Sequence, residues 1–306
     1  MYDLIIVGAG PAGMTAAIYA ARRKIDFLII GLEVGGQMAW SSDVENYPGL
    51  HFMSGLEMTQ RFQHHLNDYK VKINQEEVVG VKKKGKVVFV ITKKNTYGCK
   101  AVIVACGKSP KKLNVPGEDK YLGKGVNYCA VCDAPLFKNK TVAVVGGGNS
   151  GLDSADFLAK YANKVYIINL AKKLTGEPYL RGKVESNKKI VVINNAEPTE
   201  ILGDKFVSGI KFTKEGREQT LKLDSIFVEV GLVTKTDFLK EVKKNRWGEI
   251  MIFRSTKTHE ENMTSVKGIF AAGDVTDIPS KQIAAAVGEG CKAAMAAFDY
   301  IDRWKK

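Results

Sequence analysis

The chain has 306 residues and 46 Lys+Arg against 33 Asp+Glu, a formal net charge of +13, and that length accommodates two medium domains with a core each. Apolar residues at 45% and charged residues at 26% exclude a disordered chain, and the 30 glycines lack the triplet period of collagen. No apolar run reaches the roughly 18–20 residues of a membrane span, and the five cysteines, few and odd in number, point to a reducing, cytoplasmic setting.

The first predicted element is the strand Asp3-Leu4-Ile5-Ile6-Val7, which leaves no room for a signal peptide. It runs into Gly8-Ala9-Gly10-Pro11-Ala12-Gly13, a helix from Met14 to Arg23, a second strand from Phe27 to Ile30, and the acid Glu33. Strand, G-x-G-x-x-G, helix, strand and acid form a complete dinucleotide-binding unit. The glycines let backbone approach a pyrophosphate at a helix N-terminus, and Glu33 is placed to accept bonds from a ribose.

A second such unit follows. The strand Lys140 to Val145 leads into Gly146-Gly147-Gly148-Asn149-Ser150-Gly151, a helix from Leu152 to Tyr161 and a strand from Lys164 to Ile168. Late in the chain, Gly268 to Asp274 reads as a strand ending at a cofactor, followed by an alanine-rich helix from Ile283 to Ile301. The expected fold is α/β, with two Rossmann-like dinucleotide-binding domains, the second inserted in the first. The outer domain is assigned to 1–111 and 241–306, and the insert to 112–240.

Between the units lies Cys129-Ala130-Val131-Cys132-Asp133. Zinc would want a second cysteine pair, yet Cys99, Cys106 and Cys291 are scattered singly and no histidine sits at ligand spacing, so no metal is expected. The pair reads as a redox dithiol, with one thiolate stabilised by its neighbour and Asp133 able to move a proton. Cys99, Cys106 and Cys291 themselves read as core residues, His64-His65 as a polar helix face, His51 as a loop residue, and Trp40 as a shield beside the bound cofactor or a core or interface side chain.

In combination these motifs resemble the low-molecular-weight thioredoxin reductases of the flavoprotein disulfide reductases. The resemblance covers the whole chain. It includes Gly35-Gly36-Gln37, Glu45-Asn46-Tyr47-Pro48-Gly49, and Ala272-Gly273-Asp274-Val275 with Lys281-Gln282-Ile283. It implies FAD on the first unit, held by Gly8, Gly10, Pro11, Ala12, Gly13, Glu33, Gly35, Gly36, Gln37, Asn46, Val78, Gly107, Gly273, Asp274, Lys281, Gln282 and Ile283. It also implies a homodimer, thioredoxin as the partner, Cys132 as the flavin-facing sulfur, Cys129 as the thiol that attacks thioredoxin, and Asp133 as acid/base.

One stretch departs from the family. Its members clamp the NADPH 2′-phosphate with a His-Arg-Arg cluster and a further arginine after the second strand of the insert, because guanidinium meets phosphate in bidentate fashion. Here that stretch is Asn169-Leu170-Ala171-Lys172-Lys173, with no acid to hold a free ribose either. The surplus lysines are spread in pairs, without a nucleic-acid-binding signature, and neither nucleic acid nor membrane is an expected partner. Such a surface suits an acidic protein. The chain is therefore most similar to the ferredoxin-dependent flavin thioredoxin reductases, which implies reduced ferredoxin as donor and no NADPH requirement. An NADPH- or NADH-dependent reductase, with Lys172 and Lys173 as looser phosphate contacts, is the alternative. A ferredoxin–NADP oxidoreductase would lack the two cysteines. A peroxide-reducing system component would carry a further N-terminal domain, for which no place is expected before Met1. A non-enzymatic basic binding protein would have no use for the dithiol.

Overall fold

In the computed structural model the chain divides into two units, Met1–Ala39 with Asp43–Ser109 and Val233–Lys306, and Trp40–Ser42 with Pro110–Leu232. The structure describes every residue except 42, 51–52, 255–260 and 305–306; His51 therefore lies outside the described residues. No helix among those described is long and apolar enough to cross a membrane.

The first unit is built on a parallel sheet in which Ile73–Asn74, Phe27–Val34, Tyr2–Ala9 and Thr96–Val104 are neighbours in that order, with Ile269–Ala271 also pairing parallel to Thr96–Val104. An antiparallel hairpin, Val78–Lys84 and Val87–Thr92, extends one edge. A strand buried on both faces needs an unbroken apolar run rather than alternation. Accordingly Leu4 and Ile6 enter one core cluster while Ile5 and Val7 enter another. Each such side chain contributes about 1.5–3 kcal/mol through burial. The helix Pro11–Arg23 begins with proline at its first position, where no backbone N–H is needed. It packs against the long helix Ile283–Trp304 through Gly290, where a Cβ would stand 2.2 Å from the Ala12 carbonyl oxygen.

The second unit repeats the plan. Its parallel sheet runs Val126–Asn127, Ser225–Val228, Thr141–Val145, Lys164–Asn169, Ile190–Asn194. Val142 and Val144 face one cluster and Ala143 and Val145 the other. The helix Asn149–Ala159 follows the second glycine loop, and Ala196–Gly203, Val207–Lys214 and Arg217–Lys222 form a separate antiparallel sheet. Both expected Rossmann-like folds are thus present.

Element boundaries differ from the sequence expectation at the cofactor ends. The first helix starts at Pro11 rather than Met14, the second strand runs on to Val34, and the helix of the second unit starts at Asn149. The physical reason is common to all three. Residues beside a glycine loop carry little apolar periodicity, yet their backbone groups continue the ladder or the helix.

Candidate active site

In open parallel sheets ligands bind beyond the carboxyl ends of the strands. In the first unit three neighbouring strands end there together, delivering Gly8, then Cys106-Gly107-Lys108, then Gly273-Asp274. Gly8 has φ +113°, and a Cβ on it would stand 2.2 Å from the Ala105 carbonyl oxygen. On Gly13 a Cβ would lie 1.9 Å from the Gly8 oxygen. The second glycine pair joins this loop: Gly35 N–H donates to the Ala9 carbonyl at 2.8 Å, and a Cβ on Gly36 would stand 3.7 Å from Gly10 Cα. Backbone atoms of Gly8, Gly10 and Ala105 line much of this cradle, as suits a pyrophosphate.

The other residues that the sequence assigns to the cofactor lie as follows. Gln37 donates from Nε2 to the Lys108 carbonyl at 3.2 Å. Asn46 Nδ2 donates to Gln282 Oε1 at 3.0 Å, joining two segments far apart in sequence just ahead of Ile283, which opens the long helix. A Cβ on Gly273 would stand 3.1 Å from the Ala12 Cβ. Glu33 is exposed near the end of the second strand, and Gly107 takes φ +63° with open space around it. Val78 is half-buried against the core at the start of the edge hairpin.

Two residues that the sequence motifs did not single out, Lys108 and Glu249, complete this end. Lys108 Nζ donates to Glu249 Oε1 at 2.7 Å, and Lys281 Nζ approaches the same oxygen at 3.2 Å. Burial opposes the Glu249 charge, but bonds from Lys108, Asn245 and Lys281 hold its carboxyl at about 2. Lys281 also donates to the carbonyls of Asp274 and Thr276, at 3.2 and 2.6 Å. Burial raises the Asp274 carboxyl, and Lys281 and Lys108 pull it back. Lys108 was legible in principle, since it directly follows Gly107 at the end of a buried strand.

In the second unit Cys129 and Cys132 form a disulfide, with Cα atoms 5.4 Å apart, at the carboxyl end of the edge strand Val126–Asn127. That strand is pinned by Asn127 Nδ2 to Ser225 Oγ at 2.9 Å. Just before the disulfide, the Tyr128 hydroxyl donates to Glu118 Oε1 at 2.6 Å. The same carboxylate accepts from the Leu113 and Asn114 amides at 2.8 and 2.7 Å. Cys129 is half-buried and Cys132 exposed. Asp133 is half-buried, and burial raises its carboxyl above the usual range.

The second glycine loop has the same strained geometry as the first, but different company. Gly146 has φ +132°, and a Cβ there would stand 2.1 Å from the Glu229 carbonyl oxygen. The Glu229 carboxyl, at the end of the neighbouring strand Ser225–Val228, accepts from Ser154 Oγ at 2.8 Å, and burial pushes it up to about 7. Asn169 is buried and spends its Nδ2 on Asn194 Oδ1 at 2.7 Å and on the Ala171 carbonyl at 3.1 Å. Lys172 and Lys173 are exposed, as is Leu170.

Among the remaining cysteines, Cys99 is fully buried and burial pushes its thiol up to about 12. Cys106 is exposed, against the expectation of a core residue, because the strand ends at Val104 and the chain turns out toward Gly107. Cys291 is half-buried. His64 and His65 lie exposed on the helix Gly55–Asp68 as expected. Half-buried Trp40 ends the short helix Gly36–Trp40.

Paired nucleotide cradles with a reducible disulfide define a flavin-dependent disulfide oxidoreductase, and the chain belongs to the pyridine nucleotide-disulphide oxidoreductase family, whose model matches residues 2–290. Among particular proteins it is similar to a component of the alkyl hydroperoxide reductase of Staphylococcus aureus, 39% identical over 99% of this chain and 59% of that protein. The chain thus spans about three fifths of the length of that curated relative. Among solved structures it resembles the thioredoxin reductase of T. acidophilum, 40% identical, TM-score 0.91, over 99% of this chain and 98% of that one. It also resembles the Lactococcus lactis thioredoxin reductase, 33% identical, TM-score 0.92, covering 99% and 100%. A Clostridium acetobutylicum ferredoxin-flavin thioredoxin reductase matches at 31% identity and TM-score 0.56, covering 99% of this chain and 98% of that one. The family implies FAD, and the glycine cradle of the first unit, which a single Cβ would fill, fits it.

Proposed function

We propose that this chain is a cytoplasmic, homodimeric thioredoxin-disulfide reductase that takes electrons from reduced ferredoxin. Bound FAD supplies the conversion between single electrons and the electron pair that a disulfide requires. The residues Gly8, Gly10 and Gly13 bind its pyrophosphate, Glu33 its ribose, and Asn46, Asp274 and Gln282 orient the far end.

The chain's own thiols perform the exchange. Reduced Cys129, as thiolate, attacks one sulfur of the thioredoxin disulfide, forming a mixed disulfide and releasing the other sulfur as thiolate. Cys132 then attacks the Cys129 sulfur, releasing the second thioredoxin thiol and re-forming the Cys129–Cys132 bond. The exchange itself is proton-neutral, the two protons of the cycle entering with the two donor electrons, and the Asp133 carboxyl, raised by burial, hands one to a departing thiolate. Two one-electron encounters with ferredoxin balance each thioredoxin reduced.

The disulfide at a strand's carboxyl end beside Asp133 carries the reductase reading. The assignment of the donor is supported by the second crevice, where Asn169, bonded to Asn194 and the Ala171 carbonyl, opens the stretch that lacks the phosphate-binding arginines, and the Glu229 carboxyl accepts from Ser154. A net charge of +13 supports it further, since an acidic partner is drawn by long-range steering. Within the first unit, Lys82, Lys84 and Lys243 are the exposed members of their lysine runs. Lys83 is bonded to the Lys267 carbonyl and Lys244 to the Thr236 carbonyl at 2.6 Å. The NADPH-dependent reading retains support from the intact second glycine loop and from exposed Lys172 and Lys173.

Steady-state reduction of thioredoxin, driven in turn by reduced ferredoxin and by NADPH, tests the proposal. Cys129→Ser is expected to lower ferredoxin-driven turnover by on the order of a thousandfold or more while FAD stays bound. A Cys129→Ser protein that still turns over would remove Cys129 from its role.

A further inference from the structure

The first unit gathers four charged groups at one sheet edge. Lys108 and Lys281 both approach Glu249 Oε1, at 2.7 and 3.2 Å, and Lys281 also holds the Asp274 and Thr276 carbonyls. The Lys108, Glu249 and Lys281 side chains expose 15%, 11% and 25% of their surface, so water screens them poorly. With two cations and two carboxylates the group is close to neutral. Helix capping and strand pairing do not require Lys108. Its stem leaves the chain one residue past Gly107, where three strands end beside the glycine cradle.

We infer that Lys108 sets the reduction potential of the flavin bound by this unit, holding the charge of the Glu249–Asp274 end at neutrality. The inference rests on the reading that this unit holds FAD. A reduced flavin carries more negative charge than an oxidised one, so a nearby uncompensated carboxylate disfavours reduction and a nearby cation favours it. Removing the Lys108 charge leaves two carboxylates facing Lys281 alone. Removing the Glu249 charge leaves two cations facing Asp274 alone. The two changes therefore act on the potential with opposite signs, although both break the same 2.7 Å ion pair. Lys108 is a positioning residue in this sense, acting through the field it balances.

The experiment is a reductive titration of the purified FAD-containing protein against a reference dye, for wild type, Lys108→Met, Lys108→Arg and Glu249→Gln, with FAD content measured alongside. Lys108→Met is expected to shift the two-electron equilibrium at least tenfold toward oxidised flavin, equivalent to about 30 mV. Glu249→Gln is expected to shift it toward reduced flavin, and Lys108→Arg to stay within twofold of wild type. If Lys108→Met fails to fold, Glu249→Gln carries the test alone. Shifts of the same sign in the two variants, or none beyond twofold in variants retaining FAD, overturn the inference. A wild-type protein that takes up no FAD overturns instead the reading of the unit on which it rests.

Discussion

The two glycine loops of this chain are nearly the same object in different surroundings. Gly8 and Gly146 both have strongly positive φ, and a Cβ on either would stand within 2.2 Å of a neighbouring strand's carbonyl. Gly13 and Gly151 each let a helix sit directly on the first glycine, where a Cβ would come within 2.2 Å of that residue's oxygen. These demands come from the strand–turn–helix crossover itself. They hold whether or not a nucleotide binds. What differs is the rest of the crevice. The first loop meets Gly35, Gly36, Gly273 and an open edge; the second meets the half-buried carboxyl of Glu229 and an asparagine tied to its neighbours. A glycine motif thus certifies a fold, and the surrounding side chains decide the ligand.

The likeness of the loops can be broken at the glycines first. Gly8→Ala and Gly146→Ala each force a Cβ into backbone at positive φ, and each is expected to cost roughly 3 kcal/mol or more. Only Gly8→Ala is expected to lose FAD. Urea midpoints and flavin absorbance of the two proteins check this, and loss of flavin from Gly146→Ala would show that the loops are not functionally distinct.

The next effect lies in Glu229. Burial raises its folded-state value from 4.5 to about 7, so the folded protein binds the proton more tightly than the unfolded chain does. Stability is therefore expected to fall as pH rises from about 4.5 to 7, by on the order of 3 kcal/mol, and to level off above. Glu229→Gln should remove that slope and unfold at higher urea than wild type at pH 8. Identical pH profiles would place Glu229 in water.

The smallest effect is ionic. Lengthening the Debye screen from about 8 Å to about 30 Å by diluting salt should raise ferredoxin-driven turnover roughly tenfold, while any residual nicotinamide-driven rate stays nearly flat. A flat ferredoxin rate would reduce the +13 charge to solvation.

Much of this was legible in the sequence because the demands are local. Leu4 to Val7 and Val142 to Val145 are continuous apolar runs ending at glycines, and their strands, loops and helices follow directly. Cys129 and Cys132 declare themselves by spacing. The hidden part is what pairs across long separations. Nothing in the local pattern joins Lys108 to Glu249, or Asn46 to Gln282, because parallel strands bring together residues that never neighbour each other in the chain. Glu229 follows a buried four-residue strand, and that position alone could have marked it as lining the second crevice.

The central claim is that the first cradle binds the working cofactor and the second no longer serves a nicotinamide donor. Its most direct test is anaerobic rapid mixing of the oxidised FAD protein with NADPH, NADH or reduced ferredoxin, following loss of flavin absorbance. Prompt bleaching by ferredoxin is expected, and none within seconds at micromolar NADPH or NADH. Prompt bleaching by either nucleotide at that concentration, with ferredoxin inert, would contradict the claim.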